Sequence, residues 1–407
     1  MKTPFDSKRI ILGVTGSIAC YKAADLASKL TQAGALVDVI LTQGASQFLT
    51  PLTFQSVTGR RAYTESDLWG NEAHVLHVGL GHKTDLLVIA PATANTLAKL
   101  AHGTADNLLT VTALASRCPL VIAPAMDGGM YSHPATQANL ELLVKRGAVL
   151  IGPAQGHLAS GLEGIGRMVE AGEIFSSLRL VLSKGGPLDG RKVLITAGGT
   201  EEPIDLVRTI TNRSSGKQGF SLAQAALDQG ADVTLIVGTS HLDTPIGAKR
   251  IDVRTAQEML EAVLEQVSDA DVLLMAAAVA DFRPAAPSEH KLKKEVGVPE
   301  IILESTPDIL AAVAQRKSGT SCPRVSVGFA AESQDLLVNA KAKLNAKKLD
   351  LIVANDITAE GSGFTVDTNQ VTLLEPSGGV QTLPKMTKSE VAHIVIGRVI
   401  SMLAEGK

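Results

Sequence analysis

The ten residues Ile210–Gly219, ITNRSSGKQG, combine two serine hydroxyls, an asparagine amide and the cations Arg213 and Lys217, with Arg208 just before them. They follow an apolar run, Lys192–Ala197, and a glycine turn, Gly198-Gly199, and they lead into an alanine-rich stretch. Strand, turn, polar loop and helix in that order set the cations beside a helix N-terminus, where free N–H groups and the helix dipole favour an anion such as phosphate. The Walker pattern GxxxxGK[ST] is not met, because Gln218 follows Lys217, and P-loop NTPase chemistry is set aside. An earlier turn, GVTGSIACYK (Gly13–Lys22), offers Gly16 for close backbone approach and Ser17 as an N-cap. Alone, such a turn either binds phosphate or only packs a helix on a sheet. Thr42, and Thr93 and Asn95 in APATANT (Ala90–Thr96), fall on the same sheet edge, where open α/β folds take ligands. A mononucleotide then has both a phosphate turn and polar partners. Neither turn carries GxGxxG with an acidic residue about 20 positions on, which argues against a dinucleotide oxidoreductase. Lys343 and Lys347 are four apart in a helical stretch and can approach one phosphate chain together, whereas Lys341 and Lys348 read as a solvated face.

The elements that must position these residues alternate β-branched or Leu/Val runs with alanine-rich stretches, the pattern of parallel strands joined by crossover helices. Strands are expected near Arg9–Val14, Leu36–Leu41, Leu86–Ala90, Leu120–Ala123 and Ala148–Ile151. The pattern restarts near Lys192–Ala197, Asp232–Val237, Arg250–Val253, Val272–Ala276, Val325–Phe329 and Leu351–Ala354, with a hairpin around Thr365–Leu374. Between the halves SKGGPLDG (Ser183–Gly190) breaks any helix. The expected division is therefore a first domain over 1–184, a linker over 185–190 and a second domain over 191–407. A chain of 407 residues exceeds one ordinary core, which agrees with two domains. The longest apolar runs are too short for a bilayer, no signal peptide is evident, and Cys20, Cys118 and Cys322 suggest no disulfide framework, so a cytoplasmic protein is expected. With a net charge of -3 and 3% aromatic residues, the chain offers no surface for nucleic acid.

Longer motifs carry a more specific signal. GVTGSIACYK, APATANT, ADNLLT (Ala105–Thr110), PAMDGGMY (Pro124–Tyr131) and GHLASGLEGIGRM (Gly156–Met168) occupy the first half. TAGGTEEPID, RTITNRSSGKQG, AAAVADF (Ala276–Phe282), KLKK (Lys291–Lys294), GFAAES (Gly328–Ser333) and ANDI occupy the second. In this order they closely resemble the bifunctional phosphopantothenoylcysteine decarboxylase / phosphopantothenate-cysteine ligase family of coenzyme A biosynthesis. The resemblance implies a flavodoxin-like flavoprotein domain followed by a Rossmann-like ligase domain with a β-hairpin arm, both doubly wound parallel sheets.

For the first domain the resemblance implies FMN-dependent decarboxylation of phosphopantothenoylcysteine to 4'-phosphopantetheine, by oxidation of the substrate thiol and return of the electrons after CO2 is lost. It places FMN on Gly16, Ser17, Thr42, Pro91, Ala92, Thr93, Ala94 and Ala125, and substrate on Asn95 and Asp127. It makes His77 the base for the thiol proton, a task suited to an imidazole titrating near neutrality. Two positions depart from the commoner family pattern: Asp127 stands where many members have Asn, and Ser160 where many have a proton-donating Cys. A serine hydroxyl is a poor acid, and a charged Asp127 about 4 Å from a substrate carboxylate would be repelled by roughly 4 kcal/mol at an effective dielectric near 20. Three readings follow. Asp127 is held protonated and supplies the proton; Asp127 points elsewhere and water serves; or this half is impaired or regulatory beside an active ligase.

For the second domain the resemblance implies CTP-dependent ligation of cysteine to 4'-phosphopantothenate through an acyl-cytidylate, with Mg2+ expected alongside the triphosphate. It places CTP on Met275, Ala276, Ala277, Asp281, Lys291, Pro307, Asp308, Ile309, Leu310, Phe329, Lys343 and Lys347. Asn212 contacts the acyl-cytidylate, Arg208 the anionic end of the substrate, and Ala278 lets it lie close to the backbone. Lys291 closes over the triphosphate. No metal ligand is evident, although Asp205 and Glu332 are candidates. The resemblance also implies trimers of the first domain and dimers of the second, combined into a dodecamer-like homo-oligomer.

Overall fold

The computed structural model describes residues 3–69, 75–293, 299–317, 322–332, 334–356 and 366–406. The chain divides into two compact units, Lys2–Leu182 and Ser183–Lys407.

In the first unit the order is β1 (Arg9–Val14), α1 (Cys20–Gln32), β2 (Leu36–Leu41), α2 (Pro51–Thr58), β3 (Ala62–Tyr63), α3 (Leu76–His82), β4 (Leu86–Ala92), α4 (Ala94–His102) and α5 (Leu108–Ala115). There follow β5 (Leu120–Pro124), α6 (Gly128–Ser132), α7 (Pro134–Lys145), β6 (Val149–Leu150), β7 (Ala154–His157), β8 (Glu163–Arg167) and α8 (Ala171–Ser183). Six parallel strands run in the order β3-β2-β1-β4-β5-β6. Apart from the two-residue β3 at the edge, this is the flavodoxin-like order. Alternate residues of each central strand serve opposite faces: Ile10, Leu12 and Val14 pack with Leu26 and Leu30 of α1 and Ile174 and Leu178 of α8. Ile11, Ile89 and Ile122 pack with Leu97, Leu109 and Leu140 of α4, α5 and α7. Burial on both faces explains why these strands read as unbroken apolar runs.

In the second unit the order is β9 (Lys192–Ala197), β10 (Glu201–Pro203), β11 (Thr209–Thr211), α9 (Lys217–Leu227), β12 (Asp232–Val237), β13 (Lys249–Asp252), α10 (Ala256–Gln266), β14 (Val272–Met275), β15 (Phe282–Pro284), β16 (Leu303–Ser305) and α11 (Ile309–Lys317). Then come β17 (Val325–Glu332), α12 (Leu336–Ala346), β18 (Leu351–Asp356), β19 (Thr368–Asn369), β20 (Val371–Leu374), β21 (Val380–Thr382), β22 (Met386–Thr387) and α13 (Lys388–Ala404). The sheet order is β13-β12-β9-β14-β17-β18-β20-β21. Its first six strands are parallel in the Rossmann order, and β20 and β21 extend the edge antiparallel.

The hairpin expected around Thr365–Leu374 lies later in the chain. Residue 365 is outside the described residues, β19 pairs with β22, and the hairpin itself is β20–β21. Among the described residues no helix is long and apolar enough to cross a membrane.

Candidate active sites

In both sheets the strand order reverses beside the first strand, between β1 and β4 and between β9 and β14. Strands diverge there at their carboxyl ends and leave a crevice. A buried threonine spans it in each unit. Thr15 Oγ1 donates to the Pro91 carbonyl (2.7 Å) and accepts from the Thr93 amide (3.0 Å). In the second unit Thr196 Oγ1 accepts from the Ala277 amide (3.1 Å), and Thr200 Oγ1 from the Ala280 amide (2.9 Å). All three threonines are buried.

The first crevice opens into a cavity of about 530 Å3, within the range of small-ligand sites. Gly16, Ser17, Thr93, Ala94, Ala125, Asp127 and Ser160, all named from sequence, line it. A Cβ on Gly16 would stand 3.0 Å from the Gly44 backbone, so two loops meet there with no side chain between them. The N-cap of α1 is Ala19 and not Ser17, and no side chain caps that helix. The Cys20 and Lys22 amides of its first turn donate to the Ser17 and Ala19 carbonyls (both 3.0 Å), and the positive end of the helix dipole still favours an anion there. Across the cavity Gly166 adopts φ +140, and a Cβ there would meet the Met126 carbonyl at 2.3 Å. Met126, Met130 and Met168 supply an apolar wall. A phosphate end and an apolar end fit a flavin mononucleotide.

Four residues named from sequence lie off this wall. Pro91 and Ala92 are buried in β4, Asn95 is exposed in the first turn of α4, and Thr42 accepts from the Ala45 amide (3.3 Å). His77 is half-buried on α3 and also lies outside the cavity lining.

Asp127 and Ser160, the two departures from the family pattern, are bonded to each other. Ser160 Oγ donates to Asp127 Oδ2 at 2.7 Å, and the Gly129 amide donates to Oδ1 at 3.0 Å, with Asp127 acting as N-cap of α6. The Ser160 hydroxyl first, then the Gly129 amide, hold this carboxyl below its ordinary range. Without substrate, these donors favour the ionised form of Asp127. The residue does not point elsewhere, since it lines the cavity. Sequence reasoning missed Lys22, which is buried and donates to the Met168 carbonyl (2.7 Å) and Glu170 (2.8 Å). A lysine on the apolar face of α1 with Ala23, Leu26 and Leu30 was the available signal.

The second crevice opens into a smaller cavity of about 140 Å3. Ala276, Ala277, Ala278 and Phe329 line it as expected, with Ser214, Ser215, Gly216 and Lys217 from the loop that opens the sequence reading. Gly216 adopts φ +78 at the N-cap of α9, again with no side-chain cap. Asn355, Asn369 and Lys388, absent from the expected site, complete the wall. Met275 lies behind, its sulfur 3.7 Å from Thr196 Oγ1.

Other expected residues gather in two clusters beside the cavity lining. Lys343 donates to the Phe329 carbonyl (3.1 Å) and Lys347 pairs with Asp308, which also caps α11 through the Ala311 amide (2.9 Å). Burial would raise the Asp308 carboxyl, but Lys347 and the Ala311 amide bring it below its ordinary range. The two lysines share one side of α12, as spacing required, yet in the ligand-free chain they serve β17 and Asp308 and not one phosphate chain. Pro307, Ile309 and Leu310 flank this pair at the start of α11.

In the other cluster Asp205 accepts from the Val207 and Arg208 amides (both 2.7 Å), the Leu292 amide (3.1 Å) and the Arg208 guanidinium (2.7 Å). Burial alone would raise its pKa, but these amides and Arg208 lower it to about 2. Asp205 is thus a loop organiser whose oxygens are engaged by these donors. The side chain of Glu332 lies outside the described residues. Asn212 Nδ2 donates to the Val279 carbonyl (2.9 Å), while Asp281 and Lys291 are exposed. Among the described residues no group of three or more His, Cys, Asp or Glu could hold a metal.

Residues 2–183 match the family model "Flavoprotein", and residues 188–403 match "DNA/pantothenate metabolism flavoprotein C-terminal domain". The chain is 43% identical over 400 residues to the "Coenzyme A biosynthesis bifunctional protein CoaBC" of Bacillus subtilis (strain 168), covering 98% of each. To the protein of the same name from Mycobacterium tuberculosis (strain ATCC 25618 / H37Rv) it is 45% identical over 409 residues, covering 98% of this chain and 97% of that one. A solved C-terminal domain of a CoaBC protein is 38% identical with a TM-score of 0.46, covering 54% of this chain and 100% of its own.

Two outcomes test the geometry. Thr15→Val leaves the Thr93 amide and Pro91 carbonyl without their shared partner, and should cost about 1–3 kcal/mol in unfolding of the first unit while weakening flavin binding. Equilibrium denaturation and flavin titration check both. The Asp205 carboxyl, depressed from an ordinary 3.8 to about 2, contributes stability above pH 4 that is lost as pH falls towards 2. Asp205→Asn should therefore be less stable than wild type at neutral pH, and the difference should close between pH 4 and pH 2 in denaturation curves.

Proposed function

The chain belongs to the family of bifunctional coenzyme A biosynthesis proteins, and from that premise we propose the chemistry of each of its two sites. It is a bifunctional enzyme that joins a flavoprotein decarboxylase half to a phosphopantothenate-cysteine ligase half. The observation that carries the finer reading is that each unit has its own cavity at the carboxyl ends of its own parallel sheet.

In the ligase half the carboxylate oxygen of 4'-phosphopantothenate attacks the α-phosphorus of CTP. The bond from that phosphorus to the bridging oxygen breaks, and pyrophosphate leaves with the electron pair. The amine of cysteine then attacks the acyl carbon, CMP leaves with the pair of its phosphate oxygen, and the amine proton passes to solvent. Such chemistry needs positioned positive charge more than a nucleophile on the protein. The uncapped N-terminus of α9, with Ser214, Ser215 and Lys217, meets the phosphates. Ala277 and Ala278 let the nucleotide approach the backbone, Lys291 closes over it, and Asp281 takes the cytidine moiety. Arg208 and Asn212 hold the pantothenate side. Asp308, Lys343, Lys347 and Phe329 shape the base pocket, with one ion pair already in place. Magnesium enters with the triphosphate and its waters, which need few protein ligands.

In the decarboxylase half FMN, when bound, supplies a two-electron sink for the substrate thiol. Gly16 and the start of α1 receive its phosphate, and Thr93 and Ala94 border it. The Ser160 hydroxyl donates to Asp127 Oδ2 and turns that carboxylate into an anchored acceptor at the cavity wall. His77 takes the thiol proton. Since it lies outside its own cavity lining, the reading has a second copy of the chain bring it to the site. The proposed assembly of flavin-domain trimers and ligase-domain dimers in a dodecamer would supply that copy. Exposed Tyr21, Leu52, Trp69 and Leu114 in the first unit, and Leu206, Val207, Phe282 and Ile302 in the second, support such contacts. A cytoplasmic location is part of the same proposal. An impaired or regulatory flavin half is not favoured, because relatives of this name align along nearly the whole chain.

Purified protein should release pyrophosphate only when CTP, 4'-phosphopantothenate and magnesium are present, and should convert phosphopantothenoylcysteine to 4'-phosphopantetheine. His77→Asn should lower the second reaction at least about 100-fold, in line with loss of a general base, and leave the first unchanged. Equal loss of both activities, or retention of decarboxylation, would contradict the assignment.

A further inference from the structure

The carboxylate of Asp205 ties its own turn to a segment 87 positions further along the chain, and its two oxygens have different partners. Oδ1 accepts from the Val207 and Arg208 amides (both 2.7 Å) and so closes the turn between β10 and β11. Oδ2 accepts from the Arg208 guanidinium at Nη1 (2.7 Å) and from the Leu292 amide (3.1 Å). The same Nη1 donates to the Leu292 carbonyl (3.1 Å), so one ion pair holds both backbone groups of Leu292. Close by, the Ser288 amide donates to the Ile204 carbonyl (2.9 Å), and the Ser288 hydroxyl to the His290 carbonyl (2.7 Å). Exposed Lys291 therefore sits between two anchored neighbours, His290 and Leu292.

The turn needs only the first oxygen. An asparagine with its oxygen on the Val207 and Arg208 amides would cap it as well, since Asn and Asp close such turns in the same way. The second oxygen is surplus to that task, and what it holds is Arg208 and the segment that carries Lys291. The side chain of Asp205 has no exposed surface, whereas that of Arg208 is 45% exposed, so the pair buries its acid and turns its base outward. A guanidinium is a planar fork of N–H donors. Those of Nη1 go to Asp205 and Leu292, while Nε and Nη2 have no partner among the described residues and present their N–H groups in one plane to an oxyanion.

We propose that Asp205 is a positioning residue of the ligase reaction: through Oδ2 it fixes the guanidinium plane of Arg208 towards the anionic end of the substrate and, through Leu292, sets where Lys291 can reach. An anion held by Arg208 also steadies the Leu292 segment, so that binding of the pantothenate side prepares the lysine for the triphosphate. The inference rests on the reading that Arg208 meets 4'-phosphopantothenate and Lys291 meets CTP.

The test compares full-length wild type, Asp205→Asn, Arg208→Gln and the double variant, with kinetics read by pyrophosphate release and stability by thermal melting. Asp205→Asn should raise the KM for 4'-phosphopantothenate at least about tenfold, the scale of one charged hydrogen bond, and raise that for CTP, with the KM for cysteine unchanged. At saturating CTP the double variant should lose no more kcat/KM for 4'-phosphopantothenate than Arg208→Gln alone, because Asp205 acts on that substrate through Arg208. Hydrogen exchange of the wild type supplies a reading that requires no variant to fold. The Leu292 amide should exchange more slowly than those of Lys291 and Lys293, and more slowly still once 4'-phosphopantothenate is added without CTP. Wild-type KM values in Asp205→Asn, losses that multiply in the double variant, or a Leu292 amide indifferent to 4'-phosphopantothenate each overturn the proposal. So does an Asp205→Asn protein that melts lower and loses all three substrates equally, which marks a purely structural carboxylate. A wild-type protein that releases no pyrophosphate from CTP overturns the ligase reading itself, and this inference with it.

Discussion

A threonine hydroxyl stitched across the point where strand order reverses is the interaction on which both sites depend. At that point the sheet gives up its ladder hydrogen bonds so that a ligand can enter, and the backbone groups released there must be satisfied some other way. Thr15 satisfies one carbonyl and one amide of the β4 end. Thr196 and Thr200 satisfy two amides of the segment after β14. With these groups paired, the crevice persists without ligand, and the uncapped start of α9 remains available to an anion.

The same economy of side chains recurs on both crevices. Glycine stands where one loop touches another, as at Gly16, and alanines line the second cavity at Ala276–Ala278. Each cavity also receives one lysine from the apolar face of a helix, Lys22 in the first unit and Lys388 in the second. Their surroundings differ in a way that fits the proposed ligands. Lys22 is met by a carboxylate and a carbonyl, in a cavity roomy and apolar enough for a ring system. Lys388 lies beside a second lysine and two helix starts, in a smaller and more polar cavity suited to phosphates.

Much of this was legible in the residues because burial on both faces of a parallel sheet writes its strands as continuous apolar runs. Arg9–Val14, Leu36–Leu41, Lys192–Ala197 and Asp232–Val237 have the bounds their patterns suggest. The short pairs β7–β8, β10–β11 and β15–β16 left no such trace, since strands such as Leu303–Ser305 are exposed and carry no alternation. Glycines and alanines of the sites were legible through long motifs, whereas Lys22 and Lys388 were not, because a lysine in a helix reads as surface until its phase is compared with its neighbours. Lys388, Val391, Val395 and Val399 keep that phase. The partners of Lys343 and Lys347 were likewise beyond reach, since spacing fixes the face of a helix but not what faces it. Asp127 shows a further limit: its bond to Ser160 joins residues 33 positions apart.

The central claim is that one polypeptide holds two ligand sites, each built at the reversal point of its own sheet. Calorimetric titration of the full-length protein with FMN and CTP, singly and then each in the presence of the other, tests this most directly. One FMN and one CTP should bind per chain, with affinities unchanged by the companion ligand. Mutual displacement, or failure of either ligand to bind at all, would contradict it.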